Sequence, residues 1–187
     1  MPISEIQTDG IVRHALANGK RVFVPYIYKT QNKSPDTPRS VMDMVDLQSI
    51  SDYDSLKRDS WGIPTIESAT VDEREHILKK GSKGLDMILM PGVAFDIDPE
   101  NGAIRRMGHG KGFYDYFLHR HREIRSSQPN GQSVDSKTDV LLYGLALEEQ
   151  FLRPETGPPV PSGEHDSTLN GLFVGNGQIV EGLFRNE

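Results

Sequence analysis

The residues able to do chemistry gather in one stretch. From Arg105 to Asp115 the chain reads RRMGHGKGFYD: two adjacent arginines, then Gly108, Gly110 and Gly112 alternating with His109 and Lys111, then Phe113, Tyr114 and Asp115. Glycines on both sides of Lys111 let a polyanion approach the backbone, and Arg105, Arg106 and His109 add donors nearby. Strand, glycine-rich loop, helix is an arrangement that holds phosphate. Backbone N–H groups turn into the loop, and the positive end of the helix dipole lies behind it. The array is neither of the common phosphate fingerprints. A Walker A loop has Ser or Thr after its lysine, where Gly112 stands, and a dinucleotide fingerprint has its third glycine where Phe113 stands. On composition alone a tight turn is an equally good reading. Asp115 is favoured by the dipole in a first helical turn, and it also stands where a carboxylate beside phosphate would hold Mg²⁺. One of Phe113 and Tyr114 reads as core.

The elements that must position this loop follow from the flanking pattern. Met87-Ile88-Leu89-Met90 is a short apolar run that reads as a buried strand, stopped by Pro91-Gly92. A polar, hairpin-like segment leads to the arginines, and a helix opens at Phe113. Upstream, Ser4 to Ala17 predicts a helix with Thr8-Asp9 as cap and Asn18-Gly19 as stop. Arg21 to Ile27 predicts a strand whose Pro25 favours an end or edge. Lys29 to Ser40 is polar with two prolines and reads as an exposed loop. Val41 to Leu47 alternates and predicts a half-buried strand. Ser51 to Ser60 is mostly charged, and Val71 to Lys80 is helix-compatible. Downstream, residues 126–139 read as a mobile insertion. Val140 to Leu147 predicts a second buried strand, Glu148 to Leu152 a helical turn, and Gln178 to Leu183 a small final strand. Strands separated by helices indicate an α/β domain with a largely parallel sheet.

Composition excludes several classes. The chain has 187 residues, enough for one ordinary domain with a real core. It carries 21 basic and 27 acidic residues, a net charge of −6, and no basic tract long enough for nucleic-acid binding. The Arg/His cluster from His119 to Arg125 reads as the solvated face of a helix. There is no cysteine, which removes disulfides, thiolate catalysis and cysteine zinc sites. No apolar stretch approaches the ~20 residues of a membrane span, and the N-terminus lacks the regions of a signal peptide. A soluble, cytoplasmic protein is the default expectation, and a monomer.

Two blocks, MPGVAFD and RRMGHGKGFYDYFL, closely resemble the signature of the 5-formyltetrahydrofolate cyclo-ligase family, also called 5,10-methenyltetrahydrofolate synthetase. Met1-Pro2 followed by Glu5-Ile6-Gln7-Thr8, the turn Trp61-Gly62-Ile63-Pro64 and the late pair His165-Asp166 are similar to further family segments. The resemblance covers almost the whole chain, with 29–40 and 126–139 as insertions. It implies a single α/β domain of three layers, a mostly parallel sheet flanked by helices. It also implies an ATP- and Mg²⁺-dependent ligase that closes a ring on 5-formyltetrahydrofolate. The formyl oxygen takes the γ-phosphate of ATP, N10 attacks the activated carbon, and phosphate leaves to give the 5,10-methenyl product with ADP. Such chemistry needs positioning and charge neutralisation, not a covalent nucleophile. Carried over by position, Arg106, Met107, Gly108, His109, Gly110, Lys111, Gly112, Phe113 and Tyr114 bind ATP, with Lys111 and Arg106 neutralising charge in catalysis. Glu5, Trp61, His109, Lys111 and Phe113 meet the folate, and Asp115 and Asp166 hold Mg²⁺. The bland alternatives are an exposed helix-start acid at Glu5, core filling at Trp61 and a loop cap at Asp166.

The chain departs from the pattern at its front, where a helix with a Lys and an Arg, and an apolar strand, would precede Met1-Pro2. The expectation is therefore an N-terminally shortened member, from a misplaced start or a short isoform. Its alternative function is folate or nucleotide binding with weak or no turnover. Met107 replaces Leu, Phe113 replaces a Tyr, and His109 stands where Arg or Tyr is frequent; a neutral imidazole there attracts phosphate less than Arg does. A sugar-phosphate isomerase or a CoA transferase on a similar scaffold is the other class, and neither has a use for the Arg-Met-Gly-His-Gly-Lys-Gly array.

Overall fold

Among the described residues the pattern of short apolar runs and glycine-rich turns resolves into ten strands and three α-helices. The computed structural model describes residues 6–30, 38–60, 62–127, 140–153, 158–163 and 166–183. The architecture is α/β with mixed sheets, and its residues group into two compact units. One holds residues 1–84 and 116–127, the other 85–115 and 128–187.

The first unit is built on a hairpin. Strand β1 (Val22–Lys29) pairs antiparallel with β2 (Ser40–Leu47) in full register, Val22 opposite Leu47 and Lys29 opposite Ser40. The pair is two-stranded, so Pro25, in mid-strand, has an open side for its missing N–H. Helix α1 (Asp9–Ala17) begins later than the sequence suggests. Thr8 sits at its N-cap without a side-chain cap bond, and Asp9 pairs instead with Arg13 one turn on. Val12 and Leu16 pack with Val22 and Val24 against a core of Val45, Leu47, Tyr53, Ile66 and Val71. Helix α2 (Ile50–Ser55), absent from the sequence reading, is capped by Ser49, whose side chain accepts from the Asp52 N–H. Two short strands, β3 (Lys57–Arg58) and β4 (Pro64–Thr65), close a small ladder.

Two expectations fail in this unit. Val71 to Lys80 is no α-helix: a 3₁₀ turn covers Val71–Glu73, His76 makes an isolated bridge with Val45, and turns follow. Asp46 and Ile77 donate backbone N–H bonds to Glu75 and Met44, so pairing with β2 overrides helix propensity. Nor is β2 half-buried. Its Asp43 is buried because one carboxylate oxygen accepts from the Met44 and Leu78 N–H groups and the other meets His76 Nδ1 at 2.9 Å.

The second unit holds a four-stranded sheet. Strand β5 (Met87–Pro91) pairs parallel with β8 (Leu141–Ala146), β8 pairs parallel with β9 (Gly171–Val174), and β10 (Ile179–Glu181) joins antiparallel at the other edge. The parallel part of the fold is thus this trio; the other sheets are antiparallel. Strand β9 is missed by the sequence reading because GLFV is short and follows a polar loop. A hairpin of β6 (Ala94–Ile97) and β7 (Ile104–Met107) carries the arginines. Met90, Phe95, Ile104, Ala146, Leu169 and Leu172 are fully buried here. Helix α3 (Phe113–Ser126) gives its first residues to this unit and those from Tyr116 to the other.

Candidate functional site

The site grows from the β6–β7 hairpin. Strand register places Asp96 opposite Arg105 and Phe95 opposite Arg106. Alternation then sends the two arginines to opposite faces. Arg105 donates from Nε and Nη2 to the two oxygens of Asp96 at 2.7 and 2.5 Å, and its Nη1 lies 3.4 Å from Asp98. Asp96 also accepts the Val160 N–H at 2.9 Å. This fork is fully used, so Arg105 fastens the hairpin and is not a free donor for a ligand.

Arg106 has a different setting. Its Nη2 donates to Asp115 Oδ2 at 2.9 Å, and its Nη1 lies 3.3 Å from the Pro91 carbonyl. The guanidinium lies over the Tyr114 ring, 5.7 Å from its centroid. Its Nε is buried and has no partner among the described residues. The second oxygen of Asp115 accepts the Ser167 N–H at 3.1 Å. Burial pushes the Tyr114 hydroxyl up to about 12, with the Arg106 charge working in the opposite direction. Tyr114 is therefore the neutral floor of the arrangement.

The loop bends around this group. A Cβ at Gly108 would stand 2.7 Å from Arg106 Nη1, so any side chain there would push the end of Arg106 aside. Gly110 and Gly112 have φ of 73° and 62°, conformations that side chains rarely adopt. Among the described residues nothing lies within 4 Å of either Cβ position. The bend thus faces open space with its backbone free to meet a ligand. His109 and Lys111 are exposed on it, and neither is hydrogen-bonded or ion-paired among the described residues. On the strand side, Val93 N donates to the Met107 carbonyl and Gln150 Nε2 to the Gly92 carbonyl, tying down the Pro91-Gly92 turn.

The structure thus brings Arg106, the loop 108–112, Tyr114 and Asp115 together. Met107 ends β7, and Phe113 is half-buried at the start of α3. Asp166 accepts the Gly163 N–H and closes a turn one residue before Ser167. Glu5, Trp61 and His165 lie outside the described residues. Asp96 and Gln150 escaped the sequence reading. The Asn101-Gly102 turn was a usable signal for Asp96: a hairpin drawn around it places Asp96 against Arg105.

Fold and loop define an α/β protein with an open, glycine-rich bend at a helix start. The 5-formyltetrahydrofolate cyclo-ligase family model matches residues 1–174. A probable 5-formyltetrahydrofolate cyclo-ligase of Caenorhabditis elegans is 35% identical over 177 residues, covering 94% of this chain and 70% of the relative. The mouse 5-formyltetrahydrofolate cyclo-ligase is 32% identical, with 89% and 66% covered, and that of Saccharomyces cerevisiae 30%, with 96% and 74%. The chain belongs to the 5-formyltetrahydrofolate cyclo-ligase family. The matches span about two-thirds to three-quarters of these relatives' lengths.

Proposed function

We propose that this chain catalyses the ATP-dependent cyclisation of 5-formyltetrahydrofolate to 5,10-methenyltetrahydrofolate, releasing ADP and phosphate. The observation that carries the reading is the open bend at Gly110 and Gly112, with Lys111, unpaired among the described residues, between them at the start of a 14-residue helix, in a member of this family.

A nucleotide triphosphate fits these residues. The bend exposes backbone N–H groups, the helix start is electropositive, and Lys111 adds a full charge on a long stem. When bound, ATP supplies the phosphoryl group that makes the formyl carbon electrophilic towards N10. Lys111 and the loop N–H groups neutralise the charge that shifts between phosphate oxygens. Arg106 is held by Asp115, so it keeps the loop in shape as much as it attracts anions. Phe113, Glu5 and Trp61 are proposed to meet the folate. Mg²⁺ fits less well. No three His, Asp or Glu side chains converge among the described residues, Asp115 is taken by Arg106 and Ser167, and Asp166 caps Gly163. Asp115 and Asp166 do not make a metal centre on their own, so Mg²⁺ would arrive with the nucleotide phosphates.

The test is formation of the methenyl product from 5-formyltetrahydrofolate and MgATP, followed by its near-ultraviolet absorbance. Turnover in the wild type and a loss on the order of 10²-fold in Lys111→Ala, the cost of one lost charge-stabilising donor, are expected. A folded wild-type protein that forms no product sinks the reading. Thermal stabilisation by ATP without product would assign it instead to nucleotide binding without turnover.

A further inference from the structure

Two basic segments far apart in sequence meet in the first unit. One is the turn Lys79-Lys80-Gly81-Ser82-Lys83-Gly84; the other is the end of α3, with Arg122 and Arg125. Their contact is close: a Cβ at Gly84 would stand 2.4 Å from Arg125 Nη1 and 3.7 Å from His121 Nε2. The turn is fixed from within, with Ser82 N donating to the Lys79 carbonyl and Gly84 N to Ser82 Oγ. Lys79, Lys80, Lys83 and Arg122 are exposed and Arg125 is half-buried.

None of these five cations has an ion-pair partner among the described residues. The nearest acid on the helix, Glu123, lies 3.4 Å from His119 one turn back, and Glu75 is taken by Arg21. His121 reports the concentrated charge. It is buried, its Nε2 has no partner among the described residues, and burial with Arg125 and Arg122 holds its pKa below the usual range. In a chain of net charge −6 this is a local inversion of sign. Unpaired like charges repel one another and are relieved by a polyanion that they share.

We propose that the Lys79–Gly84 turn and the Arg122–Arg125 end of α3 form a binding site for a compact oligophosphate, separate from the glycine loop at Lys111. Arg122 and Arg125 stand three residues apart on the helix, a spacing that presents two guanidiniums to one face. A guanidinium takes phosphate oxygens in pairs, while the three ammoniums act as point charges around it. Gly81, with φ of 91° and nothing within 4 Å of its Cβ position among the described residues, leaves the turn backbone open to the ligand. The footprint of six turn residues and one helical turn suits a small ligand better than a polymer.

Inorganic tripolyphosphate is the probe, titrated calorimetrically into the full chain at low salt. Two sites per chain are expected. Lys111→Ala removes one, and Lys80→Ala with Lys83→Ala, or Arg122→Ala alone, weakens the other at least tenfold. Circular dichroism checks that these variants fold, which their exposed positions favour. The patch affinity is expected to fall steeply as salt rises. A single site that disappears in Lys111→Ala and is untouched by the patch variants overturns the proposal. A single site lost only in the patch variants upholds it and removes the phosphate role of the glycine loop instead.

Discussion

The two faces of the β6–β7 hairpin hold adjacent arginines, each bound to a carboxylate, and use them differently. On one face Arg105 spends its fork on both oxygens of Asp96, which also receives the Val160 N–H. On the other, Arg106 makes one short bond to Asp115, one long bond to the Pro91 carbonyl, and leaves Nε unpartnered among the described residues. A buried group with its bonding capacity filled holds structure. One with a donor left over, beside an open glycine bend, is the arginine proposed to serve a ligand. The difference comes from strand alternation alone, since neighbouring residues on β7 face opposite ways.

The largest expected effect tests the filled face. Asp96→Ala leaves Arg105 buried without its main partner, and the loss should be about 3–5 kcal/mol of unfolding free energy. Chemical denaturation measures it, and a loss below about 1 kcal/mol, typical of exposed pairs, would erase the contrast. Asp115→Ala should cost less, about 1.5–3 kcal/mol for a lost charged hydrogen bond, because Arg106 keeps the Tyr114 ring and the Pro91 carbonyl. Its turnover should fall further than its stability does. A double-mutant cycle with Arg106→Ala measures the coupling between the two, and a cycle that sums to zero would mean the bond does nothing.

How much of this was legible in the sequence depends on how local each feature is. The apolar run at Met87–Met90, the glycine spacing around Lys111 and the helix start at Phe113 are local, and the structure has all three. The separate fates of Arg105 and Arg106 require the hairpin register, which the sequence reading did not draw. Val71 to Lys80 misled because its periodicity suits a helix, whereas Asp43, Met44 and Asp46 of β2 claim its backbone and His76. Asp43 looked like the polar half of an alternating strand. Its burial depends on partners more than thirty residues away, at His76 and Leu78.

Tyr114 tests the open face by pH. Its hydroxyl titrates at about 12 in the folded chain against 10.0 when unperturbed. A raised folded value means that its contribution is complete below about pH 10 and is lost as pH climbs towards about 12. That difference corresponds to roughly 3 kcal/mol. Denaturant midpoints measured across this window should fall more steeply for the wild type than for Tyr114→Phe, which has no proton to lose. Equal slopes would mean that the ring is open to water and Arg106 lies over a solvated surface.

The smallest effect compares two glycines that touch Arg106. A Cβ at Gly92 would stand 2.5 and 2.9 Å from ring atoms of Phe95 and 3.1 Å from Arg106 Cγ. Phe95 is fully buried and cannot retreat, so Gly92→Ala should cost about 1–3 kcal/mol as overpacking. A Cβ at Gly108 meets only the tip of Arg106, which can swing away by giving up the 3.3 Å contact to Pro91. Gly108→Ala should therefore cost no more than about 1 kcal/mol, the net worth of one hydrogen bond. Moving that guanidinium also moves the Asp115 bond and the wall of the bend, so methenyl formation should drop by tenfold or more at nearly wild-type stability. If Gly108→Ala instead loses stability and activity in proportion, the Arg106 face is as structural as the Arg105 face, and the functional contrast between the two arginines is gone.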